Sequence, residues 1–292
     1  MSQSQQIPEL QPQIRLVVTD VDGTLLDEQK QLSPRSIQAV FKVREARIRF
    51  SIVSARPPLA VKILIDELGI VDPVACFNGG MIVSPRLEVL RRRPLNPDDA
   101  RLVCAVILEH KLGLWAYADR DWYVGDLKGE HVASHSEHTG LIPQPFTNAV
   151  LNSVDKLVGV SDDFNLITLC ERDLRTRSDT HISATRSADF YLDVTHYDAN
   201  KGNAILSLSK LLGIDTANIA TLGDMPTDVL MFRRSGMSIA MGNASREVKS
   251  AAQFVTNSNQ EDGFALAMER FILPAAPRSA EENTPSIAPS GS

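Results

Sequence analysis

Two carboxylates stand one residue apart where a short apolar run ends, in the segment RLVVTDVDGTLLD at residues 15–27. The density of Val and Leu before Asp20 predicts a strand that is buried on both faces, as in a parallel sheet. Ligands of open α/β sheets bind beyond the carboxyl ends of the strands. Asp20 and Asp22 carry like charges so close together that they require a metal ion or a shared proton. The plain alternative is an acidic turn without chemistry.

Polar residues follow two further apolar runs in the same way. Ser54 comes after the run at 48–53, and Asp224 and Asp228 come after the run at 219–222. Lys201 begins a helical pattern, and all of these residues could meet at one edge of a parallel sheet. Clustered carboxylates favour a hard cation with oxygen ligands, of which Mg²⁺ suits best. A lysine and a serine hydroxyl beside that ion describe a phosphate site.

The elements around these residues alternate between strand and helix. Ser33 and Pro34 predict a helix start, with Ser33 as the N-cap and Pro34 at the first helical position. A third strand at 74–77 breaks at Asn78-Gly79-Gly80 and is followed by Met81-Ile82-Val83, which predicts a tight hairpin. This alternation predicts an α/β fold built from βαβ units on a parallel sheet.

The middle of the chain has a different texture, with antiparallel hairpin patterns and both tryptophans. We therefore predict an inserted α+β domain at 87–195 between two halves of a core at 14–86 and 196–273. Residues 1–13 are predicted to be a flexible N-terminus. Residues 274–292 contain little to bury and are predicted to be a disordered tail.

Composition narrows the class of protein. The chain has 292 residues and a net charge of −6, which offers no general attraction to nucleic acid or to an anionic membrane. No apolar run approaches the length of a membrane span, and the polar N-terminus does not resemble a signal peptide. Cys76, Cys104 and Cys170 are widely spaced in apolar surroundings, which favours free thiols in a reducing cytoplasm. The oligomeric state stays open, a homo-oligomer included.

Together these motifs resemble those of the haloacid dehalogenase (HAD) superfamily, in particular its Cof-type group of sugar-phosphatase-like hydrolases. The segment at 20–25 resembles the first family motif, Ser54 the second, Lys201 the third, and Asp224 with Asp228 the fourth. The segments AMGNA at 240–244 and NSNQEDG at 257–263 resemble the C-terminal pattern of the group. The resemblance runs from about residue 14 to 273. It implies a Rossmann-like three-layer α/β/α core with a parallel sheet and an inserted α+β cap domain.

The resemblance also implies a mechanism. Asp20 would attack phosphorus and form an aspartyl-phosphate, while Asp22 would protonate the leaving oxygen and later take a proton from water. Mg²⁺ would be held by Asp20, the backbone carbonyl of Asp22, and Asp224. Ser54 and Lys201 would bind the phosphoryl oxygens. Further residues placed around the metal, phosphate or substrate are Thr24, Ala55, Arg56, Asn78, Gly79, Thr227 and Asp228.

Two positions depart from the family pattern. Thr227 stands where many relatives carry Asn, so a contact to metal-bound water or substrate would be weaker. Ser54 replaces the commoner Thr and keeps the hydroxyl. Neither change removes the catalytic groups.

Other interpretations explain less of the sequence. An EF-hand is excluded because Val18 occupies the place of the first ligand. A receiver domain would leave Asp22 and the insertion unexplained. His131, His135 and His138 have a spacing that could bind zinc on a helix, against the alternative of a polar exposed helix in the cap.

The sequence thus predicts a cytoplasmic, Mg²⁺-dependent phosphatase for a small phosphorylated metabolite, with a sugar phosphate as the leading candidate. A phosphomutase or phosphotransferase with the same nucleophile is the alternative. A metabolite-binding protein without activity would not need Asp20, Asp22, Lys201 and Asp224 together.

Overall fold

The computed structural model describes residues 13–177 and 181–277, and the fold is reported for those residues. The strands are β1 (Leu16–Thr19), β2 (Arg49–Ile52), β3 (Val74–Cys76), β4 (Met81–Val83), β5 (Val89–Arg92), β6 (Gly113–Ala118), β7 (Asp121–Val124), β8 (Pro143–Pro145), β9 (Lys156–Val160), β10 (Ile182–Ala188), β11 (Tyr191–His196), β12 (Ile219–Gly223), β13 (Met237–Ala240) and β14 (Phe254–Val255).

The helices are α1 (Pro34–Glu45), α2 (Pro58–Glu67), α3 (Pro97–Glu109), α4 (Val132–Thr139), α5 (Phe164–Arg177), α6 (Lys201–Leu212), α7 (Val229–Phe232), α8 (Arg246–Ala251) and α9 (Gly263–Ala267). Helix α1 begins as the sequence predicts, since the Ser33 side chain caps the Ser36 N–H and Pro34 is the first helical residue. Helix α6 ends at Gly213 in the left-handed conformation.

The core sheet is parallel and has the strand order β14-β13-β12-β1-β2. Strand β1 lies between β12 and β2, with Leu16 opposite both Ile219 and Arg49. Successive residues of β1 face opposite sides: Val17 packs in one apolar cluster, and Leu16 and Val18 pack in another. Helices cover both faces, so the core has three layers. The carboxyl ends of β1, β2 and β12 consequently meet at one edge of the sheet.

The third predicted strand does not extend the parallel sheet by a full ladder. Strand β3 pairs antiparallel with β4, as the predicted hairpin requires, and meets the core sheet through one parallel bridge between Val53 and Ala75. Strand β5 then pairs antiparallel with β4. Residues 89–92, which were predicted to lie in the insertion, therefore belong to this small sheet beside the core.

The inserted region forms a second sheet with the order β10-β11-β9-β6-β7-β8, antiparallel except for the β7–β8 pair. The predicted hairpin of β6 and β7 is present, with Tyr117 opposite Trp122. Leu114 and Ala116 pack towards the cluster that contains α3 and α5, whereas Trp115 and Tyr117 lie on the opposite face. The cap thus presents an aromatic face towards the core.

The arginine run at 91–93 joins the two parts of the molecule. Arg92 makes two hydrogen bonds, of 2.6 and 2.8 Å, to the buried carboxylate of Asp155 in the cap. Arg91 donates to the hydroxyl of Ser207 on α6 at 3.1 Å. These side chains are anchored to cap and core.

Residues 274–277 are folded, although the sequence predicted that a disordered tail begins at 274. The chain makes a 3₁₀ turn at Leu273–Ala275, and the buried Ala275 accepts a hydrogen bond from the Ile14 N–H at 2.8 Å. The rest of the predicted tail, 278–292, and residues 1–12 of the predicted flexible N-terminus lie outside the described residues. In the described part, no helix has the length and apolar character needed to cross a bilayer.

Candidate active site

Asp20 follows β1 directly and is almost fully buried. Its backbone N–H donates to the Leu222 carbonyl at 2.9 Å, which continues the pairing of β1 with β12 past the end of the strand. The turn after it depends on Gly23, whose φ is +81°. A Cβ at that position would lie 2.4 Å from an oxygen of Asp224, so only glycine lets this turn approach the neighbouring carboxylate.

Lys201, the first residue of α6, connects two carboxylates. Its side chain is 5% exposed, and Nζ donates to Asp20 Oδ1 at 2.6 Å and to Asp228 Oδ1 at 2.5 Å. Burial alone would lower the pKa of Lys201, but the charges of Asp20 and Asp228 outweigh it and raise the pKa. The lysine is therefore a permanent cation beside Asp20.

Asp228 has both carboxylate oxygens engaged and is fully buried. Beyond Lys201, its Oδ2 accepts the backbone N–H groups of Asp224 at 2.9 Å and Met225 at 2.8 Å. Asp228 thus fixes the backbone that carries Asp224.

Three carboxylates form one acidic group, in which single oxygens of Asp20, Asp224 and Asp228 lie within 4.8 Å of one another. Thr24 Oγ1 donates to Asp224 Oδ1 at 2.9 Å, and Asn243 Nδ2 donates to Asp224 Oδ2 at 3.3 Å. Asn243 lies inside the AMGNA motif at 240–244, but no role for it was predicted from the sequence.

The electrostatics of this group suit a hard cation. Burial raises the pKa of Asp20 to about 8 against the opposing charge of Lys201. Burial, followed by the charge of Asp228, raises the pKa of Asp224 to about 6. Three carboxylates share one ammonium, so their ionised forms lack enough compensating positive charge, and oxygen donors are the ligands that Mg²⁺ prefers. The donor set therefore fits a divalent cation.

Asp22 lies at the mouth of the site with its side chain 37% exposed. Arg56 donates to both of its oxygens, at 2.8 and 2.7 Å, and Lys30 Nζ lies 2.9 Å from Oδ1. Burial raises the pKa of Asp22, but the hydrogen bonds and charges of Arg56 and Lys30 outweigh it and lower the pKa. Lys30 was not predicted as a site residue, because it lies in the polar loop after the first motif and belongs to no motif itself.

Ser54 is buried at the end of β2 and bordered by a strained loop. Its N–H donates to the Ala75 carbonyl at 2.9 Å, and its Oγ accepts the Arg56 N–H at 3.2 Å. Phe77 and Asn78, whose φ angles are +50° and +55°, both adopt the left-handed conformation. Adjacent non-glycine residues in this region indicate a loop held by its surroundings, as at functional sites.

A cavity of about 950 Å³ connects these groups with the cap. The sequence-predicted residues that line it are Asp20, Asp22, Ser54, Ala55, Arg56, Asn78, Lys201 and Thr227. Thr24, Asp224 and Asp228 are not among its lining residues; Asp228 bonds to the lining residue Lys201, and Thr24 bonds to Asp224. Gly79 packs against the start of α6, where a Cβ would lie 2.9 Å from the Asn200 carbonyl oxygen.

The three histidines do not converge on a common point. His135 Nε2 is 2.8 Å from the Tyr117 hydroxyl, His131 Nε2 is 2.7 Å from Asp162, and His138 bonds the Ser134 carbonyl. Among the described residues, the only group of three potential metal ligands is the acidic one. The zinc interpretation is therefore not supported.

Comparison with known proteins decides the family. The sequence model of the family of haloacid dehalogenase-like hydrolases matches residues 17–268 of this chain. The chain belongs to this family. A putative phosphatase of Haemophilus influenzae is 30% identical over 256 residues, which is 87% of this chain and 97% of that protein. The 5-amino-6-(5-phospho-D-ribitylamino)uracil phosphatase YwtE of Bacillus subtilis is 26% identical over 89% of this chain and 98% of its own length.

The solved structures agree with this assignment. A haloacid dehalogenase-like hydrolase from Bacteroides thetaiotaomicron superimposes with a TM-score of 0.79 at 25% identity, over 88% of this chain and 99% of that one. The resemblance that the motifs suggested is thus confirmed, as is the α/β core with its cap. The family and the names of the relatives make this protein a phosphatase for small phosphorylated substrates.

Proposed function

We propose that this protein is a Mg²⁺-dependent phosphatase that hydrolyses a sugar phosphate or a closely related phosphate ester through an aspartyl-phosphate on Asp20. One observation carries the proposal: the Asp20 carboxylate is buried, bonded to Lys201, and in contact with both the acidic group and the cavity. With Lys201 on one side and a metal ion at the acidic group on the other, the Asp20 carboxylate could approach a phosphate dianion without strong repulsion.

Asp20 and Asp22 divide the chemistry between them. The free oxygen of Asp20 forms a bond to phosphorus as the ester oxygen leaves, and Asp22 gives that oxygen a proton. Asp22 then takes a proton from water, which attacks phosphorus, releases phosphate and restores Asp20. Arg56 and Lys30 favour the ionised form of Asp22, which is the base needed when water hydrolyses the aspartyl-phosphate. We infer that bound substrate loosens the contacts of Arg56 and Lys30 with Asp22 while the aspartyl-phosphate forms, so that Asp22 can carry a proton in that step.

The remaining residues bind and orient. Asp20, Asp224 and the backbone carbonyl of Asp22 would hold Mg²⁺, which supplies positive charge for the phosphoryl oxygens when it is bound. Lys201 and Ser54 would contact the same oxygens. Asp228 acts through its hydrogen bonds to Lys201 and to the backbone of Asp224.

The substrate class rests on the cavity and on a relative. The name of YwtE describes a phosphatase for a phosphorylated ribityl chain, and that protein matches this chain along nearly its whole length. A cavity of about 950 Å³ has room for a phosphate ester of that size. We also place the protein in the cytoplasm, because Cys76, Cys104 and Cys170 are buried free thiols.

Phosphate release from a panel of monophosphates tests this proposal. We expect turnover of sugar or sugar-alcohol phosphates with Mg²⁺, loss of turnover with EDTA, and recovery when Mg²⁺ is restored. A requirement for a bisphosphate activator would instead indicate a mutase. Full activity in EDTA, or no release from any member of the panel, would contradict the proposal.

A further inference from the structure

A buried ion pair from the cap lines the same cavity as Asp20 and Lys201. Lys156 on β9 and Asp193 on β11 line the cavity, and their side chains are only 8% and 3% exposed. Lys156 Nζ donates to Asp193 Oδ2 at 2.7 Å. It also reaches the backbone carbonyl of Ala55 at 3.4 Å, next to the proposed phosphate ligand Ser54. The pair therefore borders the place where a bound phosphate ester would continue into the cap.

The pair is incomplete on its own. Asp193 Oδ1 is buried and has no hydrogen-bond partner among the described residues. A carboxylate offers several acceptor positions, and a buried oxygen without a donor is unfavourable. Since Asp193 lines the cavity, a donor on a ligand would satisfy this oxygen.

The position of Asp193 on its strand supports this interpretation. Its neighbours Leu192 and Val194 point to the other side of the sheet and pack in the apolar cluster of the cap. Within β11, Asp193 is the only residue with a carboxylate, and it lines the cavity together with Tyr191 on the same face of the strand. Burying a charged carboxylate costs free energy, so packing alone does not explain an aspartate at this position.

Lys156 Nζ bonds only one of the two Asp193 oxygens, Oδ2. Its Nζ lies 5.4 Å from the ring centre of Tyr117 and 6.0 Å from that of Phe77. The Tyr117 hydroxyl is in turn bonded to His135 at 2.8 Å. The ammonium thus contacts Asp193 Oδ2 and two aromatic rings, while Asp193 Oδ1 is left without a donor among the described residues.

We propose that Asp193 is a specificity-determining residue that accepts a hydrogen bond from a hydroxyl group in the organic part of the substrate, with Lys156 as its positioning residue. This inference rests on the proposed function and narrows it to phosphate esters of polyols. Such a substrate places its phosphate at Asp20 and a hydroxyl at Asp193.

Two probes separate this contact from general catalysis: ribitol 5-phosphate, which carries hydroxyl groups, and phenyl phosphate, which carries none beyond the phosphate. We expect Asp193→Asn to lower the ratio of kcat/KM for ribitol 5-phosphate to that for phenyl phosphate about 5- to 10-fold, since the acceptor of the hydrogen bond loses its charge. The matched control is Asp189→Asn, an exposed residue in the turn of the same hairpin, which should leave the ratio unchanged. An unchanged ratio in Asp193→Asn would overturn the inference.

Two further experiments test the contact without relying on turnover or on the stability of the Asp193 variant. Calorimetric binding of both probes to Asp20→Asn, with and without Asp193→Asn, reports the same ratio without turnover. Ribitol 5-phosphate analogues that each lack one hydroxyl test the unmodified chain, and one of them should lose about 10- to 100-fold in binding or kcat/KM. If none does, the inference is wrong. Failure to release phosphate from either probe, with the binding ratio still dependent on Asp193, would count against the proposed function and not against this contact.

Discussion

Replacing Lys201 with methionine is the perturbation that the structure describes most fully. The side chain is buried, and its ammonium makes two short hydrogen bonds, to Asp20 and to Asp228. Methionine fills a similar volume but leaves both carboxylates without their cation. The variant therefore tests the electrostatic arrangement of the site with little change in packing.

The expected loss of stability is large. Removing one partner of a buried ion pair costs about 3–5 kcal/mol, because the remaining charge is uncompensated. The loss should shrink as the pH falls, because protonated carboxylates no longer need the cation. Asp20 already has a pKa raised to about 8 by burial, and loss of Lys201 raises it further. We therefore expect a larger effect at pH 8.5 than at pH 5.5.

Urea unfolding in EDTA at both pH values measures this effect. Lys210→Met is the matched control, because Lys210 is exposed on the same helix and should change the free energy of unfolding by about 0.5 kcal/mol or less. Saturating Mg²⁺ should restore part of the stability of Lys201→Met. Equal, small losses in the two variants at pH 8.5 would refute the assignment of Lys201 to a buried ion-pair network.

Two other predictions concern pH. Burial, with the charge of Lys156, lowers the pKa of His135 to about 4. The free energy of unfolding should therefore decrease as the pH falls from about 6.5 towards 4, by about 2 kcal/mol at pH 5. His135→Gln should remove this part of the pH dependence in urea unfolding, and an unchanged dependence would contradict the prediction. Mg²⁺ at 100 times its Kd should stabilise the protein by about 3 kcal/mol at pH 8.5. At the same Mg²⁺ concentration the increase in Tm should be smaller at pH 5. Protons then compete with Mg²⁺ for Asp224, whose pKa is raised to about 6 by burial. An equal increase at both pH values would mean that the ion binds at a site without Asp224.

Much of the core follows from local sequence. The apolar run before Asp20, the Ser33 cap and the strand ends at Ser54 and Asp224 each carry a pattern that depends on neighbouring residues alone. Parallel strands then bring their carboxyl ends together whatever lies between them. This is why a site assembled from distant segments could be predicted in its main members.

The contacts that were missed depend on tertiary packing. Lys30 and Arg56 meet at Asp22 because two loops approach each other, and no spacing in the sequence encodes that approach. Lys156 and Asp193 lie diagonally on neighbouring strands of the cap, with Val158 opposite Asp193 and Thr195 opposite Lys156, and the strand order of that sheet was not predicted. Side-chain periodicity tells which face a residue occupies, but not which residue lies opposite.

The boundary of the insertion shows the same limit. Strand β5 is mostly exposed, including its two apolar residues Val89 and Leu90, so no buried face marks it as part of the core. Its pairing with β4 is a backbone interaction and leaves little trace in the side chains. The arginines that end this strand bond to Asp155 and Ser207, which are both distant in sequence.

The central claim is that Asp20 is the nucleophile, and a single-turnover experiment tests it most directly. Enzyme in excess over a substrate carrying ³²P in its phosphate is quenched in acid, and the peptides are analysed for label. We predict label on the peptide that contains Asp20, none in Asp20→Asn, and loss of phosphate release in that variant while its unfolding curve stays cooperative. Phosphate release by Asp20→Asn at the rate of the unmodified protein would contradict the account.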